Sequence, residues 1–436
     1  MTNNNIKQLV ADLYPFTYSV TGDGNNKAID RLCQELDFNI YSYESGQILN
    51  GWLIPSACVV EKAELRKDGK IIYDATKSPL GVPAQSDSYS GKLSLEELEP
   101  HLFTADDPEA IPYHWTRLYR PNEALWGMCM PQKVKESLTT GTYTVDLVTK
   151  KTQDNMKVLL YELPGENEES IIINAHNCHA YQANDDVSGI ATGIEIMKRL
   201  ALLPKRRYSY KLIIAPELFG PMFWLNDIGI DSAKDIKGVL LLKSVGNSKP
   251  LRLQQSFTSK SIIDIAAHHA FTNRYGDYEY GEFRAIYGND ETVFEAPPYR
   301  IPSISLTRWP FDEYHTDKDT PDRLFEDMLQ DTVETAIAIC MGLEMNLYYK
   351  SKFSGLVCLS HYGLYKPLPP VEQNGVDYGS LMGRWNRLMN SLPSYLDGDI
   401  GLLEIAHEYK LPIKEVYEYL VQWEEKGLVE PIYNVV

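Results

Sequence analysis

The stretch SIIINAHNCHAYQANDDVSGIATGIEIMKRLALL, residues 170–203, decides the fold. It begins with a continuous apolar run, SIIINA, which is typical of a strand buried on both faces of a parallel sheet. From Asp186 onward the apolar residues recur at helical spacing, so this part predicts a helix that packs on the sheet. Polar residues, among them His176, His179 and Asp185, stand between the two. The stretch therefore predicts a strand, a polar loop and a helix in succession.

The same alternation continues to about residue 350. Further buried strands are predicted at YKLIIAPEL (210–218), IKGVLLLKSVG (236–246) and IPSISLTR (301–308), and helices at residues 259–274 and 321–349. Strands that alternate with helices favour an α/β fold with helices on both faces of a sheet. We predict a mostly parallel mixed sheet flanked by helices.

The flanking regions have other patterns. Residues 46–130 contain short alternating segments between turn residues, which predicts a strand-rich insertion subdomain. The catalytic domain would then comprise residues 1–45 and 131–352. A linker follows at 353–378, with PLPP at 367–370, and three short helices with a terminal strand at 379–436 predict a winged helix-turn-helix domain.

Composition restricts the function classes. The 436 residues carry a formal net charge of -18, so a generally basic surface for nucleic acid or anionic lipid is excluded. The six cysteines are scattered, as expected of free thiols in a reducing compartment. Neither a signal peptide nor a membrane span of about 18 apolar residues is evident. These observations predict a cytoplasmic protein that does not cross a membrane.

Acids and histidines follow several of the predicted strands. They are His176, His179 and Asp185 after the first strand, Glu217 after the second, Asp290 in GNDETVF, and His315 and Asp319 in EYHTDKDT. Ligands bind at the carboxyl ends of strands in open parallel sheets. A single histidine at a strand end is usually structural, but a set at successive ends favours a metal site. Imidazole nitrogens and carboxylate oxygens are ligands that zinc prefers.

Two motifs add a family resemblance. ANDDVSGIATGIEI and YHTDKDTPDRL resemble the zinc aminopeptidases and carboxypeptidases typified by bacterial leucyl aminopeptidase and glutamate carboxypeptidase, over roughly residues 165–350. A closer resemblance covers nearly the whole chain. IPYHWTRLYRPNEALWGMCM, HNCH, GNDETVF and GLLEIAHEYKLPIKEVYEYL are similar to a family of aminopeptidase-like proteins with a winged-helix tail, associated with polysaccharide biosynthesis.

The resemblance implies roles for individual residues. His176, Asp185 and His315 would be metal ligands, and Glu217 would be the general base or a further ligand. A second group would bind substrate or support the ligands: His179 near metal or substrate, Asp290 near the substrate pocket, Asp319 orienting the His315 loop, and Arg308 meeting a substrate carboxylate.

Departures from the pattern alter the expected metal content. Members with two metals carry adjacent glutamates where this chain has Pro216, Glu217 and Leu218, and an aspartate where this chain has Lys243. Two ligands are therefore absent. We therefore expect one zinc ion. Lys243 would either supply the positive charge of the missing second ion or be exposed to solvent.

Two function classes remain open. The first is a zinc-dependent amidohydrolase or aminopeptidase-like enzyme acting on a small-molecule or peptide-like amide. The second is a non-catalytic binding or scaffold protein with a degraded metal site. DNA binding is disfavoured, because the third C-terminal helix has Lys414 and Lys426 against four glutamates. The C-terminal domain would instead pack on the catalytic domain, on another copy of the chain or on a protein partner.

Overall fold

A computed structural model describes residues 5–366 and 377–432. A large sheet crosses its centre. Its strands, in spatial order, are Asn39–Glu44, Asn155–Leu163, Ser209–Ala215, Ser170–His176, Ile236–Lys243, Ser303–Thr307, Arg252–Gln254 and Tyr280–Gly281. The four middle strands, from Ser209–Ala215 to Ser303–Thr307, are parallel to one another. They are the strands that the apolar runs predict.

The sheet is mixed rather than mostly parallel, which corrects the prediction. Four neighbouring pairs are parallel and three are antiparallel. Asn39–Glu44 and Asn155–Leu163 add to one side before the first crossover helix, and Arg252–Gln254 follows Ile236–Lys243 through a loop. The antiparallel pairs lie at the two sides of the sheet, where Asn155–Leu163 runs against Ser209–Ala215 and Arg252–Gln254 runs against Ser303–Thr307.

Helices cover both faces of the sheet. On one face lie Ile6–Leu13, Asp23–Leu32, Ser188–Ala201, Ile262–Tyr275 and Glu326–Glu344, whose apolar residues share one buried core. Phe219–Ala233 and the short helix Glu291–Phe294 cover the other face with a second core. The architecture confirms the predicted α/β class. No helix of the described residues is long and apolar enough to cross a membrane.

The strand-rich insertion has its own antiparallel sheet. Its strands, in spatial order, are Lys70–Asp74, Ala57–Lys67, Thr142–Thr152 and Tyr89–Ser94, and they enclose a third core. The predicted boundary at 130 therefore falls inside this unit, because Thr142–Thr152 is one of its two inner strands. We move the end of the insertion to Thr152.

The C-terminal unit contains the three predicted helices, at Leu381–Ser391, Leu402–Glu408 and Ile413–Glu425. Its sheet takes Tyr348–Ser351, from upstream in the chain, as the middle strand between Asp397–Gly401 and Val429–Ile432. Its assignment to the winged-helix class stays a prediction. Part of the predicted linker 353–378, at residues 367–376, lies outside the described residues, as do residues 433–436.

The C-terminal unit packs on the catalytic domain through a continuous apolar core that includes Leu343, Leu403 and Trp423. Polar contacts fix the junction. The Leu403 amide donates to Asn346 Oδ1 at 3.0 Å, and the Ile413 amide donates to His269 Nε2 at 3.3 Å. The unit is therefore joined to the catalytic domain by both apolar and hydrogen-bonded contacts.

Candidate metal centre

The carboxyl ends of the parallel strands bring the predicted residues to one edge of the sheet. His176 and Lys243 are the last residues of their strands, and Glu217 follows Ser209–Ala215 by two positions. Asp185 lies in an irregular turn, Ala183–Val187, directly before the helix Ser188–Ala201. His315 comes from the loop after Ser303–Thr307. Residues from distant parts of the chain therefore surround one volume.

Asp185 is the centre of the cluster and is fully buried. Its Oδ1 lies 2.8 Å from Lys243 Nζ and 3.1 Å from His176 Nε2. Its Oδ2 lies 3.3 Å from His315 Nε2 and 3.6 Å from His179 Nε2. The two oxygens of this carboxylate thus face two different sets of side chains.

One of these sets fits a metal ion. His179, Asp185 and His315 each offer one ligand atom, and the three atoms lie within 4.8 Å of one another. Two of them, His179 Nε2 and Asp185 Oδ2, are buried with no hydrogen-bond partner, which is costly unless something else satisfies them. Two imidazoles and a carboxylate form a donor set of the kind found at catalytic zinc sites.

A second possible ligand group consists of His176, Cys178 and Glu217. Of the three predicted ligands, Asp185 and His315 thus share a group with His179, whereas His176 lies on the side of Lys243. The Lys243 ammonium is 3.2 Å from His176 Nε2 and 3.7 Å from Glu217 Oε1. The expectation of an exposed Lys243 is wrong, because only 1% of its side chain is accessible.

Electrostatics fix the protonation of the cluster. Burial lowers the pKa of Lys243, but the carboxylates of Asp185 and Glu217 outweigh it and hold that pKa well above its usual range. Burial raises the pKa of Asp185, whereas Lys243 and the three histidines bring it well below its usual range. Burial lowers the pKa of His315 to about 4. An ionised carboxylate and a neutral imidazole are the forms that bind a metal.

Two further acids hold the Asp185 turn. Asp319 accepts hydrogen bonds from the Asn184 and Asp185 amides at 2.7 and 3.0 Å, so it orients the Asp185 turn. Asp186 accepts from the amides of His176, Gly189 and Ser244 at 3.1–3.3 Å. A Cβ at Gly189 would lie 2.4 Å from the Asp186 carboxylate oxygens, so only glycine fits there.

Glu217 is the acid of the cluster that solvent reaches, with 15% of its side chain accessible. Asp290 supports its loop by accepting a hydrogen bond from the Leu218 amide at 2.6 Å. Burial, together with the charge of Glu217, raises the pKa of Asp290 well above its usual range. Asp290 is thus a buried acid behind Glu217 that holds its loop in place.

Arg308 has a different place from the one predicted. Its guanidinium is buried and donates to the carbonyl oxygens of Val245, Lys249 and Met328 at 2.7–3.0 Å. It also forms an ion pair with Asp331 at 2.7 Å. Because these donors bond within the protein, Arg308 has a structural role and the predicted contact with a substrate carboxylate is not supported.

Sequence reasoning missed a contribution of the insertion subdomain. The Tyr113 ring stacks on His179, with centroids 4.2 Å apart, and meets the His315 ring edge-on at 5.2 Å. Its backbone amide donates to the His315 carbonyl at 2.7 Å. Ile111 also exchanges hydrogen bonds with Asp317, at 2.9 and 3.0 Å. The only indication in the sequence was that Tyr113 stands in the IPYHWTRLYRP segment.

Comparison with known proteins places the chain in a family. A family profile described as a domain of unknown function, DUF4910, matches residues 7–346. The chain belongs to the DUF4910 family. A relative from Clostridium acetobutylicum, named as a polysaccharide biosynthesis protein with an aminopeptidase-like domain, is 29% identical over 352 residues, 80% of each chain. The predicted relationship to aminopeptidase-like proteins is confirmed.

Solved structures show the same fold. A crystal structure described as that of a peptidase from Clostridium acetobutylicum has a TM-score of 0.80 at 25% identity, covering 98% of this chain and 96% of the other. A zinc aminopeptidase from Bacillus subtilis has a TM-score of 0.58 at 12% identity, covering 77% and 93%. This DUF4910 protein therefore has an aminopeptidase-like fold.

Proposed function

We propose that the protein is a metal-dependent amide hydrolase that holds one zinc ion between His179, Asp185 and His315. One observation carries the proposal: two buried ligand atoms of this group, His179 Nε2 and Asp185 Oδ2, have no hydrogen-bond partner. When bound, zinc supplies a polarised carbonyl and a water of lowered pKa. His176, predicted as a ligand, would instead support Asp185 from the other side.

Glu217 is the proposed general base. It projects from the loop after Ser209–Ala215 into the accessible part of the cluster, where it can take a proton from a water molecule and deliver it to the leaving nitrogen. The Lys243 ammonium lies 3.7 Å from Glu217 Oε1 and helps to position this carboxylate. Asp290 fixes the loop through the Leu218 amide, so the carboxylate stays aimed at the substrate.

The proposed substrate is a peptide-like or acylamino compound. Aminopeptidase-like neighbours support a peptide-like amide, and the name of the Clostridium acetobutylicum relative, a polysaccharide biosynthesis protein, is the reason to include N-acyl sugars among the candidates. Both classes present a carbonyl next to a nitrogen, which is the group that this chemistry needs.

Metal content and turnover test the proposal together. Protein purified without added metal is expected to contain one zinc ion per chain by mass spectrometry of the element. His179→Ala and His315→Ala should lose it, whereas His361→Ala, which removes an exposed histidine, should retain it. Glu217→Gln should retain the ion and lose hydrolysis of a panel of aminoacyl anilides and N-acyl amino sugars.

The same measurements of zinc content and hydrolysis test the alternative, a non-catalytic protein. If the wild-type protein holds no metal and hydrolyses no member of the panel, the protein is a binding or scaffold protein with an aminopeptidase-like fold. A DNA-binding role has little support. Exposed positions on Ile413–Glu425 include Lys414 but also Glu418, Glu424 and Glu425, and acids repel phosphate.

A further inference from the structure

Lys243 occupies a cation position in the candidate metal centre. Its ammonium nitrogen lies 2.8 Å from Asp185 Oδ1, 3.2 Å from His176 Nε2 and 3.7 Å from Glu217 Oε1. The side chain is fully buried at the end of Ile236–Lys243, so the strand fixes where the ammonium lies. Two carboxylate oxygens and an imidazole nitrogen therefore surround one positive charge.

These three partners form the type of donor set that zinc takes in proteins. His176 Nδ1 lies 3.3 Å from Asn289 Nδ2 and 3.4 Å from Asp186 Oδ2, so partners on the far side of the ring hold it with Nε2 toward Asp185 and Lys243. Cys178 also belongs to the possible ligand group on this side, together with His176 and Glu217. The side chains around the ammonium would thus suit a metal ion equally well.

Asp185 joins this position to the proposed zinc position. Its Oδ1 faces Lys243, and its Oδ2 faces His179 and His315. A carboxylate with this arrangement can bridge two cations. Here one of the two cations is the Lys243 ammonium, which is part of the chain, so a second metal ion would have no free position beside Asp185 Oδ1. A metal ion held by Asp185 Oδ1 and His176 Nε2 would compete with the ammonium for the same two atoms.

Aromatic rings hold the ammonium from another direction. Lys243 Nζ lies 4.2 Å from the centroid of the Tyr287 ring and 5.9 Å from that of Tyr314. A cation over an aromatic face is stabilised by the negative potential of the ring. The Tyr287 and Tyr314 hydroxyls are 3.3 Å apart, which ties the two rings together. Lys243 is therefore kept in place rather than free to swing away.

We infer that the ammonium group of Lys243 replaces a second metal ion, and that shortening this side chain exposes a latent metal site formed by His176, Asp185 and Glu217. The inference rests on the proposed function for the position of the first ion. It explains why one chain contains ligand atoms for two cations while holding a single metal: the second positive charge belongs to the protein.

Metal stoichiometry tests the inference without an activity assay. Wild-type protein and variants are dialysed against the same free zinc concentration, and zinc per chain is measured by mass spectrometry of the element. Wild type should bind one ion. Lys243→Ala and Lys243→Asp should bind two, and the second ion should be lost again when His176→Ala is added. Lys243→Leu is the matched control, because it removes the charge but fills the space, and should bind one.

The outcomes separate the inference from the proposed function. Two ions in wild-type protein overturn the inference, as does a single ion in both Lys243→Ala and Lys243→Asp when their circular dichroism matches wild type. If either variant fails to fold, the other variant and the wild-type stoichiometry decide. No ion in wild type but one in Lys243→Asp supports the inference and overturns the proposed function. No ion in any form overturns both.

Discussion

Asp319→Asn is the substitution whose effect follows most directly from the geometry of the site. Each carboxylate oxygen of Asp319 accepts one backbone amide, from Asn184 and from Asp185. Asparagine retains one acceptor and turns an NH₂ group toward the other amide, which is then buried without a partner. Losing one hydrogen bond and leaving a buried donor unsatisfied should lower the free energy of unfolding by ~1–3 kcal/mol.

The same substitution should weaken metal binding, because the amide that Asp319 holds belongs to Asp185. Losing a partner that orients a ligand typically costs about 10–100-fold in metal affinity. Urea unfolding followed by tryptophan fluorescence measures the first effect, and competition with a fluorescent zinc chelator measures the second. Asp322→Asn is the control, since it makes the same change at an exposed position in the same loop. Wild-type stability and affinity in Asp319→Asn would refute the reasoning.

Three further predictions concern stability. His269 is neutral at the C-terminal junction, with its pKa lowered to about 4 by burial and by His407. The stabilisation from neutral His269 is present above pH 6.5 and is lost as the pH falls toward 4, by up to ~3 kcal/mol. His269→Gln should therefore reduce this loss in the free energy of unfolding, measured by urea titration at each pH. Glu291 has the opposite sign, because burial raises its pKa to about 7: wild-type stability should fall by up to ~3 kcal/mol as the pH rises from 4.5 through 7, and Glu291→Gln should abolish that decline. Arg308→Ala should cost about 3 kcal/mol of unfolding free energy with unchanged zinc content; a raised KM at wild-type stability would instead restore Arg308 to substrate binding.

The sequence predicted the part of the site that depends on parallel strands. Continuous apolar runs identify buried strands, and the carboxyl ends of parallel strands must meet at one edge. His176, Lys243 and the loops that carry Glu217 and His315 can therefore be placed together from the order of residues alone. The prediction required only that the strands leading to these residues are parallel to one another. The antiparallel strands lie at the sides of the sheet and did not affect it.

Other features depend on partners that spacing does not specify. Thr142–Thr152 alternates in the way that suits either sheet, and its register with Ala57–Lys67 decides that it belongs to the insertion. The direction of Arg308 is set by the carbonyl groups that surround it in the folded chain. Tyr113 lies about 200 residues from His315 in sequence, so only tertiary structure could show their contact.

The bonds between residues 111–113 and the His315 loop have a consequence for protein engineering. The insertion subdomain supplies a backbone partner to the segment that carries a proposed metal ligand, and an aromatic ring to two of the histidines. The insertion subdomain therefore cannot be replaced independently of the His315 loop. A chimera that took this subdomain from another aminopeptidase-like protein would need the incoming loop and the resident histidine segment to be transplanted as a matched pair.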